Sequence, residues 1–186
     1  MRRLPFVATL VVTAIVWTWV PAPVVGQQTQ PPLRRPDVIF VATQDVTVQG
    51  MLDLAGVGPN DVVYDQGCGD GKIVIAAAKR GARAVGIDID PQRVKEATEN
   101  VRAADVEDKV TIIHGDIFDP ATKISEATVV TLYLLQTLNE KLKPRLQKEL
   151  RPGTRIVSNT FTMGDDWPHE KMVQPGYQPV YLWTIK

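Results

Sequence analysis

Val62-Val63-Tyr64-Asp65-Gln66-Gly67-Cys68-Gly69-Asp70-Gly71 is a short apolar run that ends in an acid and three alternating glycines. A bounded apolar run of this kind reads as a buried strand, and the glycine cluster as the loop after it. Ile73 to Arg80, with three successive alanines, reads as a helix packed closely on a sheet. Glycines at every second position let the backbone pass beside a ligand where a Cβ would collide. The helix opening near Gly71 turns free N–H groups toward the same space, which suits a carboxylate or phosphate. A dinucleotide fingerprint needs G-x-G-x-x-G, and its third glycine position is Lys72 here. That departure counts against a nicotinamide oxidoreductase.

The pattern repeats on both sides of this loop. Ahead of it, Val46, Met51, Leu52 and Leu54 predict an amphipathic helix that starts after Thr43 and stops at Gly56 and Gly58-Pro59. After it come strands over 84–87, 110–113, 128–134 and 155–158, with a helix opened by Asp90-Pro91 and running through Val101. Leu138 to Leu150 reads as helical but broken at Pro144, which starts a second piece. Lys171–Gln174 and Val180–Ile185 read as two strands around Pro175-Gly176. Alternation of strand and helix with short connections predicts an α/β, doubly wound and mostly parallel sheet of the Rossmann-like kind. Ligands of such sheets bind at the carboxyl ends of the strands, beside the switch point.

Two acids sit at those ends. Asp88 closes Val85-Gly86-Ile87-Asp88-Ile89-Asp90, about twenty residues beyond the glycine loop, where a carboxylate can accept both hydrogen bonds of a ribose diol. Asp90 reads as the helix N-cap. Asp116, in His114-Gly115-Asp116-Ile117, ends the next strand and can accept from an exocyclic adenine amine. Its plainer reading is a loop or capping residue.

Composition narrows the alternatives. The chain has 186 residues, 44% of them hydrophobic and 23% charged, so one globular domain with a proper core is expected. Lys+Arg 21 against Asp+Glu 21 gives no basic surface for a nucleic acid, and none is expected as a partner. One cysteine excludes an internal disulfide framework and a cysteine-based zinc site. His114 and His169 lie far apart, so no metal site is expected. A mean hydropathy of -0.07 excludes a multi-span membrane protein.

The first 26 residues read as an address. Met1-Arg2-Arg3 is basic, Leu4 to Val20 is almost entirely apolar, and Pro21-Ala22-Pro23-Val24-Val25-Gly26 supplies a break and small residues. This is the three-part pattern of a secretory signal, with cleavage after Gly26 and a periplasmic or secreted body. An uncleaved anchor, touching the membrane through residues 4–20, and a misassigned start that leaves the domain cytoplasmic stay open beside it. Gln27 to Pro36 reads as a Pro/Gln-rich tether, and residues 37–186 as the folded domain.

The glycine loop with Asp88 and Asp116 resembles the class I, seven-stranded S-adenosylmethionine-dependent methyltransferases. The resemblance implies a seven-stranded sheet and S-adenosyl-L-methionine as cofactor. It also implies that Gly67, Cys68, Gly69 and Gly71 lie along the methionine end, with Asp65 near the amino group. Asp88 would then hold the ribose, Ile89 would lie against the adenine ring, and Asp116 would meet the adenine amine. More narrowly, Asp37-Val38-Ile39-Phe40-Val41-Ala42-Thr43, Thr131-Leu132-Tyr133-Leu134-Leu135, Leu138-Asn139, Glu149-Leu150-Arg151-Pro152-Gly153, Met163-Gly164-Asp165 and Tyr181-Leu182-Trp183 resemble the archaeal and mitochondrial protein-lysine N-methyltransferases. That family usually carries a tyrosine and a proline where this chain has Phe40 and Ala42. The resemblance implies N-methylation of a protein lysine. A small-molecule methyltransferase, or an exported cofactor-binding module without activity, are the competing readings. Tyr133 is the candidate aromatic wall beside a sulfonium, with Phe40 and Thr43 closing over the cofactor. Cys68 reads as a small space-filler, not a nucleophile.

Overall fold

A computed structural model of the chain describes residues 33–186. The leader expected over residues 1–26 and most of the tether expected over 27–36 lie outside the described residues. Eleven elements follow in order: α1 (Asp45–Ala55), β1 (Val62–Gln66), α2 (Lys72–Lys79), β2 (Arg83–Asp88), α3 (Pro91–Ala103), β3 (Val110–His114), β4 (Val129–Leu132), α4 (Gln136–Glu149), β5 (Arg155–Asn159), β6 (Lys171–Val173) and β7 (Val180–Thr184).

They form one seven-stranded sheet in the order β3-β2-β1-β4-β5-β7-β6. The pairs from β3 to β5 are parallel, whereas β7 runs antiparallel to β5 and to β6. The chain winds outward from β1 to β3 and then returns to β4 on the other side of β1. The switch point therefore lies between β1 and β4, whose carboxyl ends, Gln66 and Leu132, are in register.

The sheet is covered on both faces. One core joins Val48, Met51 and Leu52 of α1, Val74 and Ala77 of α2 and Val101 of α3 to Val63, Val129 and Val157. The other joins Leu142 and Leu146 of α4 to Tyr64, Ile87, Leu132, Ile156 and Trp183. Trp183 is fully buried, and its indole N–H donates to the Trp167 carbonyl at 2.9 Å. Both tryptophans pack the tail.

Local differences from the sequence reading have physical causes. The buried stripe of α1 is Thr47, Val48, Met51, Leu52 and Ala55, while Val46 is exposed and Leu54 only partly covered. Val48, Met51, Leu52 and Ala55 keep the helical spacing that Val46 breaks. The strand expected over 128–134 stops at Leu132, which frees Tyr133 and Leu134 to turn into the space above the sheet. Pro144 does not divide the helix it lies in: α4 runs through it, with the buried Leu142 and Leu146 holding both adjoining turns against the core. Packing outweighs the one backbone donor that proline lacks.

Candidate active site

The carboxyl ends of β1, β2 and β4 open into a cleft of about 910 Å³, counting its solvent-open part. Among the residues proposed from sequence, Phe40, Thr43, Asp65, Gly67, Cys68, Asp88, Ile89, Asp116 and Tyr133 all line it. Gly69 and Gly71 do not.

The three glycines have three different reasons to be there. All have positive φ, at 87° for Gly67, 53° for Gly69 and 82° for Gly71. A Cβ on Gly67 would reach within 3.1 Å of Leu134 in the cleft. At Gly69 it would fall 2.2 Å from the Phe40 ring, so that glycine makes room for a side chain of the protein itself. At Gly71 it would press on Ala97 of α3, at 3.1 Å, so there the requirement is close helix packing. Gly86 of β2, which the sequence reading passed over, seats Cys68: a Cβ there would stand 2.9 Å from the Cys68 sulfur. Burial pushes the Cys68 thiol well up, and the charges of Asp65 and Asp88 push it further. It fills space and stays protonated.

Asp65 is almost completely buried and accepts the Thr131 hydroxyl at 2.7 Å. Burial pushes its carboxyl up to about 7, the Thr131 bond opposing and the charges of Asp88 and Asp70 assisting. A buried carboxylate without a cation is a poor resident; a cation placed beside it in the cleft would restore its charge.

Asp88 is pinned by its own loop. One oxygen accepts the Gly69 N–H at 2.8 Å and the other the Asp90 N–H at 2.9 Å. A carboxylate has about four acceptor positions, so room remains for a diol. Asp90 caps α3, accepting the Gln92 N–H at 2.8 Å, as its place before Pro91 predicted.

Asp116 is more heavily engaged. Arg34 grips it through Nε at 2.6 Å and Nη2 at 3.1 Å, and the Phe118 N–H donates to it at 2.9 Å. Partial burial opposes ionisation, but Arg34 and the Phe118 N–H prevail and hold the carboxyl below its ordinary value. Arg34 falls within the stretch read as tether. Here it also pairs with Asp37 and stands over the Phe118 ring, 5.3 Å from its centroid. Nothing in a Pro- and Gln-rich context signals such a contact.

From Arg34 the chain crosses the cleft mouth. The Phe40 ring lies on Gly69, with the Arg93 guanidinium 4.9 Å from its centroid. Thr43 is buried, and its carbonyl accepts from Lys72 Nζ at 3.0 Å. Lys72 also pairs with Asp45 at 2.9 Å. The residue that spoils the dinucleotide fingerprint thus fastens the segment before α1 to the glycine loop. Tyr133, just past β4, lines the cleft, and its hydroxyl accepts from Gln178 Nε2 at 2.6 Å.

The cleft's charged lining is acidic: Asp37, Asp65, Asp70, Asp88, Asp90 and Asp116 against Arg34, Lys72 and Arg93. A cradle with a buried acid, a free-acceptor acid at the next strand end and an apolar floor of Ile89, Ile117 and Leu134 fits a cationic nucleoside derivative. Among the described residues it lacks the run of basic groups that a polyphosphate would call for.

Comparison with known proteins agrees. The profile of the ANTKMT methyltransferase domain matches residues 65–171. A protein-lysine N-methyltransferase from Saccharolobus islandicus is 44% identical over 155 residues, covering 81% of this chain and 95% of that protein. A crystal structure of an RNA methyltransferase from Salinibacter ruber, in complex with S-adenosyl-L-homocysteine, is 51% identical with a TM-score of 0.75, covering 78% of this chain and 94% of that one. A ribosomal protein L11 methyltransferase from Alkaliphilus oremlandii is 32% identical over 132 residues, 69% of this chain but 41% of that longer protein. The seven-stranded sheet, the acidic cleft at its switch point and these relatives have one reading: the chain is a class I S-adenosylmethionine-dependent methyltransferase and belongs to the ANTKMT methyltransferase-domain family.

Proposed function

We propose that this enzyme methylates the side-chain amine of a lysine presented by a protein. The observation that carries the reading is the acidic lining of the cleft, five carboxylates and Asp65, which ionises beside a cation, against three cations around an apolar floor. Such a lining favours a cationic cofactor and a basic side chain over a polyanion. The name of the Saccharolobus islandicus relative supports the same acceptor.

In this reading Asp65 holds the cofactor's ammonium group, Asp88 its ribose diol, and Ile89 its adenine ring. Asp116 meets the adenine amine with the acceptor position that Arg34 and Phe118 leave. When bound, S-adenosylmethionine supplies a methyl carbon on a sulfonium, which passes to a neutral nitrogen while the C–S electron pair stays on sulfur. The protein contributes alignment, worth on the order of 7–11 kcal/mol for well-oriented reactants. Leu134 and Leu138 keep the acceptor end apolar, and exclusion of water there favours the neutral amine by lowering its pKa. Tyr133 flanks the reacting centre, and Phe40 and Thr43 cover the glycine loop from the N-terminal side.

A second reading, RNA as acceptor, is favoured by the name of the Salinibacter ruber protein. One experiment separates them. The enzyme is incubated with methyl-labelled S-adenosylmethionine and a cell lysate, and protein, RNA and small-molecule fractions are counted. Label in protein, released as methylated lysine on hydrolysis, is expected. Label confined to RNA or to small molecules refutes the lysine reading, and binding without any transfer points to an inactive module. We further propose export, on the strength of Arg2-Arg3 and the apolar run after them. A reporter active only outside the cytoplasm, fused after Gln30, should be switched on; a fusion that accumulates in the cell but stays silent would refute it.

A further inference from the structure

Tyr133 does not hold its position alone. The hydroxyl accepts from Gln178 Nε2 at 2.6 Å, and Gln178 Oε1 accepts from Asn159 Nδ2 at 3.3 Å. Asn159 Oδ1 in turn accepts the Thr160 hydroxyl at 3.0 Å. Four side chains from three separate segments thus form one line of hydrogen bonds ending at the cleft. Asn159, in its middle, has no exposed surface, so its amide is fixed by its partners and not by water.

The backbone behind the line is strained. Thr160 has φ 69°, a left-handed conformation that a β-branched residue rarely adopts. The Phe161 N–H closes a tight turn over it onto the Asn159 carbonyl at 2.8 Å, and the Thr160 N–H donates to the Pro179 carbonyl at 2.8 Å. A three-residue turn with positive central φ is rare and costs energy. Strain of this kind persists where the surroundings over-determine it, and it clusters at functional sites. Here it holds the end of β5 against the β6–β7 connection, at the place where Gln178 reaches Tyr133.

The chemistry of the hydroxyl gives the line a use. A phenolic oxygen has two lone pairs and one proton. With one lone pair taken by Gln178, the other can accept an N–H of an incoming amine. The amine's own lone pair is then left free to point elsewhere. We propose that Gln178, braced by Asn159 and Thr160, is a positioning residue that aims the Tyr133 hydroxyl at an N–H of the acceptor amine, so that the amine's lone pair faces the methyl carbon. The proposal rests on the lysine reading above and deepens it. Gln178 lies beyond the 65–171 stretch matched by the family profile.

The test uses the full chain with Gln178→Met, Tyr133→Phe and the double variant. Transfer is measured to the lysate protein fraction at several acceptor concentrations, and S-adenosylmethionine affinity by calorimetry. Carbon-13 labelled tyrosine gives an independent readout through the ring carbon that bears the Tyr133 oxygen. Gln178→Met is expected to shift that resonance and lower kcat about tenfold, with cofactor affinity within about twofold of wild type. The double variant is expected to be no slower than Tyr133→Phe alone, because Gln178 acts through the hydroxyl. A merely structural tie would give additive losses and a lowered melting temperature. Additive losses, an unshifted resonance or an unchanged kcat in Gln178→Met would each overturn the proposal. A wild-type enzyme that transfers nothing to protein would overturn the lysine reading and this proposal together, whereas normal wild-type transfer with an indifferent Gln178→Met overturns this proposal alone.

Discussion

Replacing Asp65 by asparagine should make the protein more stable and a worse binder, with both effects following pH. Asp65 is buried in β1, with its carboxyl raised from 3.8 to about 7 by burial, against the Thr131 hydroxyl bond and with help from Asp88 and Asp70. Between those two values the unfolded chain gives up its proton while the native protein keeps it. Native stability therefore falls as pH rises from about 4 to about 7 and is flat on either side of that window. Each pH unit is worth 1.36 kcal/mol, so the ceiling is about 4 kcal/mol at pH 7. Asparagine keeps an oxygen for the Thr131 hydroxyl, which now donates at 2.7 Å, and has no charge to strand.

The measurement is denaturant unfolding of wild type and Asp65→Asn at pH 4.5, 5.5, 6.5 and 7.5. Titrations common to both proteins cancel in the difference. The variant's advantage should be small at pH 4.5 and grow toward neutrality to at most about 4 kcal/mol. Calorimetry with S-adenosylmethionine should show the opposite preference. A cationic ligand beside Asp65 favours its ionised form, so wild-type affinity should rise up to about pH 7 with a proton released on binding. The variant should bind at least tenfold more weakly at pH 7.5, the loss of a charged hydrogen bond being worth about 1.5–3 kcal/mol. A stability difference that does not change with pH, or a variant less stable than wild type at pH 7.5, would refute the argument for a stranded buried carboxyl.

Three other substitutions follow from the same geometry. Gln66 has no exposed surface and neither amide atom finds a partner among the described residues; it sits between Ile87 and Leu132, so Gln66→Leu should raise stability by about 1–3 kcal/mol in a thermal melt. Asp88→Ala should weaken cofactor binding about tenfold or more, while Asp90→Ala should cost about 1 kcal/mol of stability through its cap and leave binding nearly intact; equal affinities by calorimetry would mean that the wrong acid was assigned to the ribose. Gly71→Ala, at φ 82° and facing Ala97 at 3.1 Å, should lose about 1–2 kcal/mol, and a melt unchanged from wild type would remove the packing explanation.

What the sequence disclosed and what it hid divide along the range of the interactions. Asp65, Gly67 and Asp88 were legible because a strand end, a glycine loop and a second strand end are local patterns, and the parallel sheet brings them together without further information. Asp90 was legible for the same reason, as an acid directly ahead of Pro91. Phe40 and Gly69 each attracted notice, but nothing local says that the ring of one occupies the missing Cβ of the other, 29 positions away. Gly86 reads as an ordinary small strand residue until Cys68 is seen against it. Arg34 lies in a stretch whose composition signals a tether, and its grip on Asp116 spans 82 positions. The line from Thr160 to Tyr133 was hidden for a stronger reason. It joins the ends of two strands to a connection between two others, through polar side chains common in any loop. It exists only because β7 inserts beside β5 and brings Pro179 onto Thr160. The cofactor end of this cleft is thus written mainly in local motifs. On the reading proposed above, the acceptor end is written in the topology of the tail, and that is where differences in substrate among proteins with the same glycine loop should be sought.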